Sequence, residues 1–320
     1  MKNSKSTILQ QIGNTPLISL KNITHGEDFN IFAKAEFLNP SGSIKDRIAL
    51  RMIEGAEKNG CLRKGGIIVE ASTGNTAIAL SFVGTFKGYK VIIFMPEKTA
   101  SSERIGIAKK YGADVRVLPL DPKGGDNLYD ASIHGGYYEI PGRIMARKME
   151  KQPDIWWARQ FSNLDNVAAH KEGTGSEIDK QMKDKIDAVV ASIGTGGTLL
   201  GLAQALKKHS PLLISVEPAS HPMLYNNLKK YPLIKGITDG IVYNIVQNDL
   251  VDKAITINDE EAIFMTNRLI KEEGLFCGIS SGANVAAAMA IGKEMSNCRN
   301  IVTVLPDSYN RYLNAEHYVT

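Results

Sequence analysis

The sequence predicts an α/β fold of two domains, each an open, mostly parallel sheet flanked by helices. Three observations lead there. Short apolar runs alternate with amphipathic ones in a strand, polar turn, helix order. The strand runs are short and mostly apolar, as strands buried on both faces of a parallel sheet are. A chain of 320 residues is also long enough for two lobes of roughly 100–200 residues each.

Taken in order, Ile67-Ile68-Val69-Glu70-Ala71 reads as a buried strand, Ser72-Thr73-Gly74-Asn75 as a turn, and Thr76 to about Phe86 as a helix. The pattern repeats with a strand over 90–95, a helix over 102–111 and a strand over 114–118. Residues 120–153 are rich in Gly, Asp and Tyr and longer than an ordinary connection, with room for a helix over 141–150. They read as a surface loop with one helix, or as an entrance loop to a site. In the second half, 187–193 is a strand and Gly194-Thr195-Gly196-Gly197-Thr198 a turn. Leu199, Leu202, Ala203 and Leu206 then mark one face of a helix at offsets 0, 3, 4 and 7. Further strands are expected over 213–216, 254–257 and 301–305, and Asn258-Asp259-Glu260-Glu261 opens a long helix with a cap and an acidic first turn. No repeat of 20–50 residues is visible, which excludes solenoids and propellers.

Composition narrows the function classes. With 43% hydrophobic and 22% charged residues the chain is an ordinary globular one, neither disordered nor collagen-like. Cys61, Cys277 and Cys298 are too few and scattered for a disulfide scaffold or a zinc site, so a reducing, cytoplasmic compartment is expected. No secretory leader or apolar run of about 18 residues is present, so no membrane partner is expected. The net charge of +4 is interspersed and too small to point to nucleic acid. The six histidines show no paired metal-ligand spacing, so no metal is expected.

Four clusters carry chemistry. Lys45, in Asn39-Pro40-Ser41-Gly42-Ser43-Ile44-Lys45-Asp46-Arg47, sits at a helix start, where the backbone dipole favours a neutral, nucleophilic amine. The same residues also fit a solvated helix start. Ser72-Thr73-Gly74-Asn75-Thr76 forms either an anion pocket or a plain N-cap. Gly194-Thr195-Gly196-Gly197-Thr198 is a phosphate cradle by mechanism. Glu217 follows at roughly the distance of a dinucleotide ribose acid, yet Leu199 replaces the third glycine of that fingerprint and no P-loop motif occurs. Gly278-Ile279-Ser280-Ser281-Gly282 places a serine where it could meet a ring nitrogen without charge, or simply cap the next helix. An electrophile-trapping lysine, a carboxylate loop, a phosphate loop and a neutral ring-nitrogen partner together make up the parts of a pyridoxal 5'-phosphate site.

The motifs Ile12-Gly13-Asn14-Thr15-Pro16-Leu17, residues 39–47, 72–76, Gln160-Phe161-Ser162-Asn163, His170-Lys171-Glu172-Gly173-Thr174-Gly175, 194–198 and 278–282 resemble, in order, those of the cysteine synthase (O-acetylserine sulfhydrylase) and cystathionine β-synthase family. The resemblance spans nearly the whole chain. It implies a fold-type-II pyridoxal-phosphate enzyme, similar to the tryptophan synthase β chain, with a large cofactor domain over 1–38 and 164–320 and a small mobile domain over 39–163. By motif match Lys45 would bind the cofactor covalently, Asn75 its 3'-oxygen, Gly194, Thr195, Gly196, Gly197 and Thr198 its phosphate, and Ser280 its ring nitrogen. Ser72, Thr73, Thr76 and Gln160 would bind the α-carboxylate of a small amino-acid substrate. The implied chemistry is β-replacement or β-elimination through an aminoacrylate, with Lys45 moving the α-proton, in a homodimer. A nicotinamide-dependent oxidoreductase and a non-catalytic binding protein are the rival readings. An intact Lys45 argues against the second.

One loop departs from the family. In Lys235-Gly236-Ile237-Thr238-Asp239-Gly240-Ile241, Asp239 stands where alanine or tyrosine is expected. A carboxylate there would repel hydrosulfide and could activate water or an amine, as in cysteine hydroxyl-lyase variants that release hydrogen sulfide and leave serine. Homocysteine is a further nucleophile the family uses. Asp239 could equally cap a turn.

Overall fold

The computed structural model describes residues 7–97, 101–119, 140–220, 241 and 250–313. Its described strands are β1 (Leu17–Ser19), β2 (Asn30–Ala35), β3 (Ile67–Ala71), β4 (Lys90–Pro96), β5 (Asp114–Leu118), β6 (Ile155–Trp157), β7 (Ala188–Ser192), β8 (Leu212–Pro218), β9 (Lys253–Ile257) and β10 (Asn300–Leu305). The helices are α1 (Lys45–Lys58), α2 (Asn75–Phe86), α3 (Ser102–Lys110), α4 (Ile140–Met149), α5 (Leu164–Ala168), α6 (Ser176–Gln181), α7 (Gly197–Leu206), α8 (Asp259–Glu273) and α9 (Ile279–Glu294). A π-helical stretch, Ala169–Gly175, joins α5 to α6.

The chain forms two compact units, and neither is a continuous half. One contains, among the described residues, 7–44, 167–220 and 250–313, and the other 45–166 and 241. The chain first passes from one to the other between Ile44 and Lys45.

The first unit is built on a six-stranded sheet in the order β1-β2-β10-β7-β8-β9. All its pairings are parallel except β1 with β2. Successive side chains of β7 point to opposite faces, as a strand's period of two requires. Ala188 and Val190 enter a core with Met265 and Leu269 of α8 and Val285, Ala288 and Ile291 of α9. Val189 and Ala191 enter another with Leu199, Leu202 and Leu206 of α7 and Ile178 of α6. The apolar strand runs are therefore explained by helices on both sheet faces. The expected cap of α8 is present: Asn258 Oδ1 accepts from the Glu261 amide at 2.8 Å, and the Glu261 carboxylate accepts from the Asn258 amide. Lys34, on β2, is fully buried, donating to the Thr15 carbonyl and Gln181 Oε1 and pairing with Glu177 at 2.8 Å.

The second unit holds a four-stranded, wholly parallel sheet in the order β5-β4-β3-β6. Val69, Ile92, Phe94, Ile155 and Trp157 pack under α4 with Ala146. Ile68 and Val91 turn the other way, against Gly84 of α2 and Ile53 of α1. The helix expected over 141–150 is α4, while residues 120–139 lie outside the described residues. No helix among the described residues is long and apolar enough to cross a membrane.

Candidate active site

In the four-stranded unit the expected residues lie where strands end and helices begin. β3, paired on both sides, delivers the chain into Ser72-Thr73-Gly74, and α2 starts at Asn75, one residue before the expected start. Ser72 and Thr76 are buried, while Thr73 and Asn75 are half-buried. The N-cap residue of this helix is Gly74, unlike Ser101 of α3 and Asn258 of α8, whose side chains accept from helix amides. The turn is instead tied from outside. The Ser72 amide donates to the Phe94 carbonyl at 3.1 Å, and the Arg104 guanidinium to the Thr73 carbonyl at 3.3 Å.

Gln160, far away in sequence, is brought to the same turn. Its side-chain Nε2 donates to the Ala71 carbonyl at 2.9 Å, its backbone amide donates to Glu70 Oε2 at 2.9 Å, and its carbonyl accepts from Asn166 Nδ2 at 2.8 Å. Arg159 before it has a left-handed backbone (φ 53°), a costly conformation for a side chain of that size. Both its Nη atoms donate to the Glu150 carboxylate, and its guanidinium stacks 4.7 Å from the Trp157 ring. Lys45 opens α1 and is half-buried, followed by buried Asp46 and Arg47.

In the six-stranded unit, the loop leading to Lys45 is anchored rather than loose. The Gly42 amide donates to the Asn39 carbonyl at 2.7 Å, the Ile44 amide to Pro306, the Ser308 amide to Gly42, and the Arg311 guanidinium to the Ser41 carbonyl. The Gly194–Thr198 loop follows β7. Gly196 caps α7 with φ 82°, a conformation that favours glycine and brings no side chain of its own to the helix start. A Cβ built on Gly194 would meet no atom of the described residues within 4 Å. The N-terminus of a ten-residue helix behind a glycine-enforced turn fits a phosphate group. Thr195 is buried, and its Oγ1 accepts from the Gly197 amide at 3.3 Å. Thr198 Oγ1 lies 3.3 Å from His170 Nε2, and the other ring nitrogen of His170 lies 3.1 Å from Thr174 Oγ1. His170 is thus a fully buried structural residue that orients Thr198.

Ser280 sits half-buried in the first turn of α9 rather than at its cap, which is Gly278. Asn284, one turn further on, holds this helix to the sheet, its Oδ1 accepting from the Ser192 amide at 2.8 Å and its Nδ2 donating to the Val304 carbonyl at 2.8 Å. The same helix therefore carries Ser280 and grips the strand end that opens into the Gly194–Thr198 loop. No cluster of metal ligands exists among the described residues. Burial pushes the Cys277 thiol up to about 12, which removes it as a nucleophile at neutral pH. Asp239 lies outside the described residues.

Reading motifs alone passed over Glu70, Arg159, Arg104 and Asn284. For Glu70 a signal was present: a carboxylate inside an otherwise apolar strand run must have partners.

Replacing Gly196 by alanine places a β-carbon in the left-handed region, at a cost of about 1–2 kcal/mol. The expected outcome is a lower urea midpoint together with weaker retention of pyridoxal phosphate on dialysis. Retention equal to that of the unaltered chain would show that the turn is not part of a phosphate cradle.

Comparison with known proteins shows the family of the chain. Residues 8–307 match the family model described as pyridoxal-phosphate dependent enzyme. Cysteine synthase of Staphylococcus aureus (strain N315) is 37% identical over 315 residues, covering 97% of this chain and 96% of that protein. The crystal structure of O-acetyl serine sulfhydrylase isoform 3 from Entamoeba histolytica is 33% identical with a TM-score of 0.82, over 100% of this chain and 93% of that one. A hydrogen sulfide-producing enzyme from Fusobacterium nucleatum is 34% identical with a TM-score of 0.81, over 96% of this chain and 99% of that one.

Proposed function

The chain belongs to the pyridoxal-phosphate dependent enzymes, in their cysteine synthase branch, and from that premise we propose that it converts O-acetylserine and hydrosulfide into cysteine and acetate. The Cβ–O bond breaks and acetate leaves with the electron pair. A Cβ–S bond forms, and the α-proton is removed and restored. When bound, pyridoxal phosphate supplies the electron sink for the bonds at Cα.

The residues of this chain do the rest. The amides of Gly194, Thr195, Gly196, Gly197 and Thr198 would hold the phosphate of the bound group. Asn75 would hydrogen-bond its 3'-oxygen through the side-chain amide. Ser280 would offer its ring nitrogen an uncharged hydroxyl, a weaker partner for a protonated ring than a carboxylate. Ser72, Thr73, Thr76 and Gln160 bind the α-carboxylate. Lys45 Nζ takes the α-proton and returns it. The observation that carries the reading is the glycine-enforced Gly194–Thr198 turn at the start of α7, with Gly196 at φ 82° and no atom of the described residues within 4 Å of a Cβ on Gly194.

A second reading is favoured by one specific residue. Asp239, where the family carries alanine or tyrosine, supports water as nucleophile and cysteine as substrate, with hydrogen sulfide released and serine left. The similarity to the hydrogen sulfide-producing enzyme supports the same reading. We also infer a homodimer and a cytoplasmic location, the latter supported by three free cysteines. Incubating the holoenzyme with O-acetylserine plus sulfide, and separately with cysteine, tests both. Cysteine accumulating in the first is expected. Sulfide and serine formed only in the second would overturn cysteine synthesis, and no product in either would overturn both readings.

A further inference from the structure

We propose that Glu70 is the positioning residue of the carboxylate-binding end of the site, fixing Gln160 against the turn that leads into Ser72–Thr76. The inference rests on the substrate role assigned above to Gln160 and that turn.

Glu70 is the penultimate residue of β3 and is 1% exposed. Its Oε1 accepts from the Ala71 amide at 2.7 Å and from the Trp157 indole Nε1 at 3.0 Å. Its Oε2 accepts from the Gln160 amide at 2.9 Å. The Gln160 side chain closes the ring by donating to the Ala71 carbonyl. One carboxylate therefore joins the last residues of β3 to the segment after β6, on the peptide where the expected substrate loop begins. Nε2 of a glutamine carries two protons. Giving one to Ala71 fixes the direction of the other, which a ligand carboxylate can accept.

Burial pushes the Glu70 carboxyl up, and the donors Trp157, Gln160 and Ala71 together with the Arg143 guanidinium oppose that rise. Core packing alone does not call for such a group, because an apolar side chain of similar volume packs as well without the desolvation cost. What a carboxylate adds is two acceptor atoms that bind two separate segments at once. The left-handed backbone at Arg159, held by Glu150 and Trp157, meets Gln160 from the other side. Gln160 is thus constrained through its amide, its carbonyl and its side chain before any ligand arrives.

The test compares holoenzyme variants by calorimetric titration with L-serine and with L-serinamide, which lacks the carboxylate. Glu70→Gln keeps the shape but turns one acceptor into a donor. It is expected to weaken L-serine binding about tenfold and to raise KM while kcat and cofactor content stay within about twofold. L-serinamide affinity is expected to stay within about twofold. Glu70→Asp, with charge kept and reach shortened, should show the same split at smaller size. Amide hydrogen exchange, read without ligand, should quicken at residues 71–76 and 160–163 in Glu70→Gln. Unchanged exchange there, or equal losses for the two ligands, would overturn the proposal. If the unaltered holoenzyme bound neither ligand, the proposed function would fail, and the exchange measurement would still decide the role of Glu70.

Discussion

Holoenzyme carrying Lys45→Ala is expected to lose activity by about 10²–10⁴-fold, the range associated with removing a proton-transferring group. The expectation follows from where the fold puts this lysine. It is the first residue of α1, and the loop before it is held at Asn39, Ser41, Gly42 and Ile44 by bonds within its own unit. A helix N-terminus disfavours an ammonium group, the direction a nucleophilic and basic amine requires. The fold should survive the change. Lys45 is half-buried, and alanine is the best helix former. Circular dichroism and a urea midpoint within about 1 kcal/mol of the unaltered chain are expected alongside the lost activity. Activity within tenfold of the original would remove Lys45 from the reaction.

Gly282→Ala is expected to have the largest effect on stability of any glycine replacement considered. A Cβ at Gly282 would lie 2.1 Å from the Ala262 carbonyl oxygen and 2.2 Å from Thr266 Oγ1. Both belong to α8, so the two long helices of the six-stranded unit would have to move apart. Overpacking against backbone reaches about 3 kcal/mol or more, or roughly 4–5 °C in Tm for a chain of 320 residues. Gly106→Ala provides the opposite sign. It sits exposed in α3 with no atom within 4 Å of the added carbon, and should stabilise by about 0.5–1 kcal/mol. A thermal melt of each decides the matter, and an unshifted Tm for Gly282→Ala would contradict the described packing of α8 on α9.

The glycine of the Gly278–Gly282 motif shows how far a sequence can be read. Position and residue type marked the segment as a site, yet Gly282 works as a contact between helices, while the half-buried Ser280 occupies the first turn. The parallel sheets were legible because strands such as β3, β4 and β7 are short, mostly apolar and followed by a turn and a helix. The turns at 72–74 and 194–196 were legible as turns for the same reason, each lying between the end of a parallel strand and the start of a helix within its own unit. What was not legible is the wiring between distant segments. Nothing in Trp157, Arg159 or Asn166 taken alone predicts that they converge on Gln160, because that requires knowing that β6 lies beside β3. Nor does an asparagine in an alanine-rich helix announce that it grips the ends of β7 and β10.

Reduction of the holoenzyme with borohydride, followed by proteolysis and mass spectrometry of the labelled peptide, tests the central claim most directly. The cofactor is expected to be fixed on Lys45 and on no other lysine. A label on another lysine, or cofactor released without any label, would contradict it.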